Sequence, residues 1–152
     1  MEPTLRDATL DDAQFLFDLR TDPDVAAASN RAAPPGLAEH IGWLTRALED
    51  HDVRVFIVED EYHLPIGQVR LDQTADDSAE VSIALVSAAR GHGTGTEVLK
   101  ILALAAEHHG IRWLEAVIKE TNHASRKAFL KAGYSVEEIK DGLVHMGYKC
   151  GS

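Results

Sequence analysis

The sequence predicts an α/β domain, a mixed β-sheet with helices on its faces. Three observations carry this. Segments of helical and strand period alternate in the order strand, two helices, three strands, helix, strand, helix, two strands. The three middle strands follow one another through short polar connections, as antiparallel neighbours do. The last two flank Asp141-Gly142, a hairpin turn signature. With 152 residues, one domain spanning 1–152 is expected, long enough for a real core.

Taken in order, residues 4–6 form a short strand. Thr9 caps a helix over 11–20, with acids in its first turn and Arg20 at its end. Thr21-Asp22-Pro23-Asp24 breaks it, and 25–33 is rich in small residues with no clear period. Pro34-Pro35-Gly36 punctuates the loop that follows. A second helix spans 37–48. Its Leu37, Ile41, Leu44 and Leu48 recur at helical spacing and are expected to face the core, with His40, Trp43 and Ala47 as a neighbouring stripe. Strands follow at 53–58 and 66–71 around a turn at 60–64. Residues 72–78 read as a polar acidic loop before the strand 79–86. On that strand Val81, Ile83 and Leu85 share one face, and Glu80, Ser82 and Ala84 the other. An apolar helix covers 96–109 and closes at Gly110. A buried strand at 113–118 precedes a helix capped by Asn122 and stopped at Gly133. Strands at 134–139 and 143–148 end the fold.

Composition narrows the function. The formal net charge is -10, which argues against non-specific binding to nucleic acid or an anionic membrane, both of which need a basic face. A small-molecule partner and a monomer or homodimer are expected. The lone Cys150 allows no internal disulfide and suits a reducing compartment. The N-terminus has no basic flank or apolar stretch of a signal peptide, and no apolar run is long enough to span a membrane, so a cytoplasmic protein is expected. His108 and His109 read as charge at a helix end rather than as metal ligands, and no metal is expected.

The informative stretch is 81–96: a buried strand, a turn, a glycine-spaced loop and the first turn of a helix. Arg90-Gly91-His92-Gly93-Thr94-Gly95 strips side chains from consecutive backbone N–H groups, which can close on an anion at a helix start. A diphosphate is the ligand these amides suit. The plain alternative is a turn that uses glycine for its conformational freedom. A Walker loop would need Gly-Lys followed by Ser or Thr, and a dinucleotide fingerprint would need its third glycine one position later.

Arg90–Gly95 resembles the pyrophosphate loop of the GCN5-related N-acetyltransferases. The run from Asn122 to Tyr134 resembles the second signature of that family, an Asn-led helix ending in Gly-aromatic. The resemblance covers nearly the whole chain. It implies a mostly antiparallel sheet whose strands splay at the cofactor site, acetyl-CoA as cofactor, and transfer of its acetyl group to a primary amine. It further implies that the diphosphate lies on the amides of Gly91, His92, Gly93, Thr94, Gly95 and Thr96. Backbone groups of Ile83, Ala84, Leu85 and Val86 would hold the pantetheine arm, and Asn122, with Ser125 and Phe129 on its helix, would complete the cofactor site with Arg90. An N–H near Leu85 would polarise the thioester carbonyl.

One departure bears on the chemistry. Many members carry Tyr, as the acid for the departing thiolate, where this chain has Phe129. Tyr134, a water, or no acid at all remain, since a thiol of pKa about 8.5 leaves readily. Glu80 is the first candidate for the base and His40 the second. The segments around Arg6, His40-Ile41-Gly42-Trp43, Gly67-Gln68-Val69-Arg70 and Glu80 resemble enzymes that acetylate the 4-amino group of UDP-linked deoxy-amino sugars, of the pseudaminic-acid pathway type. That resemblance makes Arg31, His40, Trp43 and Arg70 candidate acceptor contacts. The alternatives are a protein N-terminus of the ribosomal type or a polyamine, which the acidic chain mildly favours, and a non-catalytic acyl-CoA-binding module.

Overall fold

A computed structural model describes residues 2–29 and 34–151. Seven strands form one sheet in the order β1-β2-β3-β4-β5-β7-β6. They are β1 (Thr4–Asp7), β2 (Val53–Glu59), β3 (Pro65–Ala75), β4 (Ser78–Leu85), β5 (Trp113–Lys119), β6 (Ser135–Lys140) and β7 (Leu143–Lys149). Every pairing is antiparallel except β4 with β5. Among the described residues five α-helices flank the sheet: α1 (Ala13–Thr21), α2 (Pro23–Ala28), α3 (Leu37–Glu49), α4 (Thr94–His108) and α5 (His123–Lys131). This is the mixed α/β architecture that the order of elements predicts.

Two cores separate the faces. On one, Val98, Leu99 and Leu102 of α4 and Phe129 of α5 pack on Val69, Val81, Leu114 and Met146. On the other, Leu16 of α1 and Leu44 and Ala47 of α3 pack on Val55 and Ile57 of β2. The second core stops there. α3 packs on β2 and α1 reaches β3.

Several boundaries differ from expectation. Thr9 does cap, but it caps a 3-10 turn at Leu10–Asp12 that precedes α1, with Asp12 returning a bond to the Thr9 N–H at 2.8 Å. The segment after Asp22-Pro23 is a new helix, since Asp22 accepts from the Asp24 and Val25 amides and Pro23 sits where its missing N–H costs nothing. β3 runs on to Ala75, because its polar end pairs through backbone alone. The buried face of α3 is His40, Leu44 and Ala47, while Leu37, Ile41 and Leu48 are exposed. The imidazole is accepted inside because Phe17 and Trp43 flank it, at ring-centroid distances of 5.8 and 5.6 Å. Trp113 opens β5 in solvent rather than in the core. The terminal hairpin matches its turn signature, with Asp141 and Gly142 both at positive φ (54° and 77°).

Candidate active site

The parallel seam between β4 and β5 is short. Register partners run only from Ser78 with Trp113 to Glu80 with Glu115. Beyond that the strands part, although β4 continues to Leu85 and β5 to Lys119. The result is a V-shaped gap with Glu80 and Glu115 at its apex. Backbone direction follows from the ladder. The Val86 N–H donates to Ile66 O at 2.9 Å, so Val86, Ala84 and Ser82 turn their polar groups toward β3. The alternate residues Ile83 and Leu85 therefore turn theirs into the gap. From the other side, the Trp113 N–H donates to Asp77 O at 3.0 Å, which aims Val117 and Lys119 inward by the same alternation. On the β4 side, the edge from Ile83 to Leu85 has no strand partner across the gap, a ready seat for an extended amide-bearing chain.

Gly67 on β3 makes the gap's near wall possible. A Cβ there would stand 2.6 Å from both Ala84 O and Leu85 Cδ2, so only glycine lets the end of β4 lie this close.

At the mouth of the gap, α4 begins. Its N-cap is Gly93, with φ 78° and no side-chain cap. The N–H groups of Thr94, Gly95 and Thr96 occupy the first turn and have no intrahelical acceptor. Gly91 and Gly93 both have φ 78°, and a Cβ at either would meet nothing within 4 Å, so the space above the loop is open. Free amides, a positive helix end and open space together fit a diphosphate. α5 closes the far side: a Cβ at Gly95 would stand 3.6 Å from that of Ala128, and the Thr96 hydroxyl lies 3.5 Å from Ala128 O.

The sequence profile of the acetyltransferase (GNAT) domain matches residues 4–135. The chain belongs to the GNAT acetyltransferases. Solved structures agree on the fold. Spermidine N-acetyltransferase from Vibrio cholerae, in complex with CoA and spermine, superposes with a TM-score of 0.89 at 17% identity, covering 98% of this chain and 96% of that one. AAC(6')-Ib with paromomycin and acetyl-CoA gives 0.85 at 18% identity, covering 98% and 94%. A domain from Methanocaldococcus jannaschii gives 0.84 at 19%, covering 97% and 98%. A search of curated proteins returns no match. This acetyltransferase is accordingly an acyl-CoA-dependent N-acyltransferase with acetyl-CoA as donor. The thioester supplies the activated acetyl group, and the gap and loop residues above are those that would hold its carrier.

The residues singled out from sequence fall into three groups. Ile83, Leu85 and 91–96 line the gap or its mouth, and Glu80 stands at its apex. Asn122 caps α5 through Oδ1, which accepts from the Ser125 N–H at 3.2 Å. Ala84 and Val86 direct their backbone groups to β3 instead. Arg90 does not reach over the loop. Its Nε donates to Leu85 O at 3.0 Å, Nη1 to Asp24 at 2.9 Å and Nη2 to Asp22 at 3.2 Å. Phe129 is 2% exposed and offers no polar atom. Tyr134 packs edge-on against Phe129, with centroids 4.8 Å apart, and beside Tyr148, whose strand position pairs with Leu114 at the closed end of the seam. Burial pushes its phenol well above the ordinary range, so it gives up a proton poorly where it stands.

His40, Trp43 and Arg70 do come together, on the α1/α3 face. The Arg70 guanidinium lies 5.4 Å from the centre of a Trp43 ring, and its Nε donates to Asp72 at 2.9 Å. His40 is 5% exposed and its Nε2 has no hydrogen-bond partner among the described residues. Burial first, and Arg20 second, lower its pKa, so it is neutral at pH 7. Arg31 lies outside the described residues.

Residues that sequence reasoning missed complete the face. In register, Asp72 stands beside Glu80, and Glu80 beside Glu115, which pairs with Gly147 on β7. Gly147 has no side chain, and the Glu137 carboxylate fills that place: a Cβ at Gly147 would be 2.5 Å from Oε1. Four carboxylates thus cross the sheet in one row. An open hollow of about 570 Å³ lies over its outer half, lined by Glu115, Val117, Glu137, Glu138 and His145 among others. A glycine inside a strand pattern, as at Gly67 and Gly147, is the signal that could have pointed here.

Proposed function

We propose that this acetyltransferase acetylates a small polycationic amine of the polyamine or aminoglycoside type. The supporting observation is the row Asp72, Glu80, Glu115 and Glu137. Like charges directly opposite across strands destabilise a sheet. Arg70 neutralises Asp72, but the next three carboxylates pair with no cation among the described residues. A multiply charged amine relieves that repulsion and is drawn to the hollow by its field. The row spans from β4 through β5 and β7 toward β6, three strand spacings or about 14 Å, which suits a ligand with several separated nitrogens. The same field disfavours the diphosphate of a nucleotide-linked amino sugar, and Arg70, committed to Asp72 and Trp43, is poorly placed to reverse it.

The residues then divide the work. The loop amides of 91–96 and the inward groups of Ile83 and Leu85 hold the donor, and an inward N–H there polarises the thioester carbonyl. Removing one such donor typically costs about 3 kcal/mol of transition-state stabilisation. Glu80 accepts the proton from the attacking amine. Three residues, about 10 Å along a strand, separate it from Ile83, so the proton passes through water. The C–S bond breaks as the C–N bond forms, and the thiolate leaves without an acid from Tyr134.

CoA release, read by thiol titration, tests this with spermidine, an aminoglycoside, a UDP-4-amino-4,6-dideoxy sugar and a ribosomal N-terminal peptide in parallel. Turnover on the polycations is expected. Release with the sugar alone would overturn the acceptor assignment. Glu80→Gln is expected to lower kcat by about 10²–10⁴-fold, the usual worth of a general base.

A further inference from the structure

α2 packs on α1 but contributes no residue to either core. α2 has no buried residue. It is fixed instead at its two ends, from the two walls of the gap. At its start, Asp22 and Asp24 take the Arg90 guanidinium, which also holds Leu85 O at the tip of β4. At its finish, Lys119 of β5 donates from Nζ to Ala27 O at 2.7 Å. An ammonium on the last carbonyls and carboxylates at the first amides both match the helix dipole. The six residues of α2 therefore bridge the V from the β4 side to the β5 side.

We propose that Lys119, and Asp22 acting through Arg90, are positioning residues that seat α2 as the wall against which the acceptor amine is aligned, and that this wall is tied to occupancy of the diphosphate loop. Arg90 belongs to both: its backbone begins the loop and its side chain ends in α2. Ordering the loop around a bound diphosphate fixes the base of Arg90 and with it the N-terminal clasp. Lys119 fixes the opposite end independently. Donor binding thus completes the acceptor wall, and the amine is aligned only on the loaded enzyme. This rests on the acetyltransferase activity and not on which amine is used.

The test measures hydrogen exchange of the α2 amides, with and without acetyl-CoA, together with steady-state kinetics using spermidine as the probe acceptor. In the wild type, acetyl-CoA is expected to slow exchange across α2. Lys119→Met removes a hydrogen bond from a charged donor and is expected to speed exchange at the end of α2 by about tenfold. It should raise the spermidine KM by about the same factor, with the acetyl-CoA KM unchanged. Lys119→Arg, which keeps a donor at the same place, should restore both. Asp22→Asn keeps the helix cap but loses the charge on Arg90, so acetyl-CoA should no longer slow α2 exchange. Unchanged α2 exchange in Lys119→Met, or no response to acetyl-CoA in the wild type, overturns the proposal. If spermidine is inert while exchange behaves as described, the polycation assignment fails and the clasp stands.

Discussion

The two halves of the β4–β5 seam use similar residues to opposite ends. In the closed half, Ala79, Val81 and Leu114 are sealed beneath α4, and backbone pairs with backbone. In the open half, Ile83 and Leu85 sit only partly buried across from Val117 and Lys119 and have no register partner on β5. Both halves are branched, apolar strand. What separates them is not propensity but what lies at their edges: Gly67, which lets β4 lie close on β3, and Arg90, whose Nε donates to Leu85 O where β5 has no partner for it. The gap is thus made by pulling one strand aside rather than by giving it a different composition.

The contrast is broken most severely in the closed half. Leu114→Ala empties a fully buried site and is expected to lower unfolding free energy by about 2–5 kcal/mol. Denaturant titration reads that loss, while activity per folded molecule stays the same. Gly67→Ala attacks the open half. Its new Cβ meets a backbone oxygen and Leu85, so β4 must move toward the gap, and kcat/KM is expected to fall about tenfold or about 1.4 kcal/mol, with a smaller loss of stability. If Gly67→Ala lowers stability while each folded molecule keeps full activity, the wall assigned to it is wrong.

Smaller effects test the frame on which both halves rest. Arg6 donates to Asp12 at 2.9 and 2.8 Å and to Glu59 at 2.9 Å, tying the start of α1 to β1 and β2. Its hydrogen bonds hold Asp12 below the ordinary carboxylate range, with further help from the Thr9 N–H, against the cost of burial. A lowered folded pKa means that the contribution is present above the unfolded value of about 3.9 and is lost as pH falls through the lower folded value. Asp12→Asn should therefore cost about 1 kcal/mol at pH 7 and flatten the acid limb of the stability curve. His40 gives the mildest signature. Its folded pKa is lowered, so its stabilising effect is complete above about 6.5 and fades as pH drops below that. Unfolding titrations at pH 7.5 and 5.5 should show a drop in the wild type that His40→Gln lacks.

Much of this was legible in the sequence, and the reasons for the exceptions are physical. The glycine-spaced loop, the Asn122 cap and the Asp141-Gly142 turn carry local chemistry, and each stands where its residues require. The same holds for Glu80, because strand alternation alone puts it opposite Val81. The end of β3 was not legible, since Gln73 to Ala75 pair through backbone while their side chains look like loop. The α3 face misled because a buried His40 costs little when aromatic rings surround it, and apolar Leu37 and Ile41 can stand exposed. The clasps on α2 escaped for another reason: Arg90 meets Asp22 and Lys119 meets Ala27 across 68 and 92 residues, and no local pattern encodes such pairs. The carboxylate row escaped likewise, because it exists only after β5 and β7 take their register.

The brevity of the parallel seam also bears on how the chain reaches this structure. β2, β3 and β4 follow one another through tight turns, and β6 and β7 form a hairpin across two residues. Such local pairings form early, whereas joining β4 to β5 requires closure over a connection of 27 residues, from 86 to 112, which α4 occupies. The order of assembly that this topology favours puts the β4–β5 gap last. In refolding experiments, the capacity to bind CoA should recover after the sheet signal of the terminal hairpin, and a mutation that slows the seam should delay function without delaying collapse.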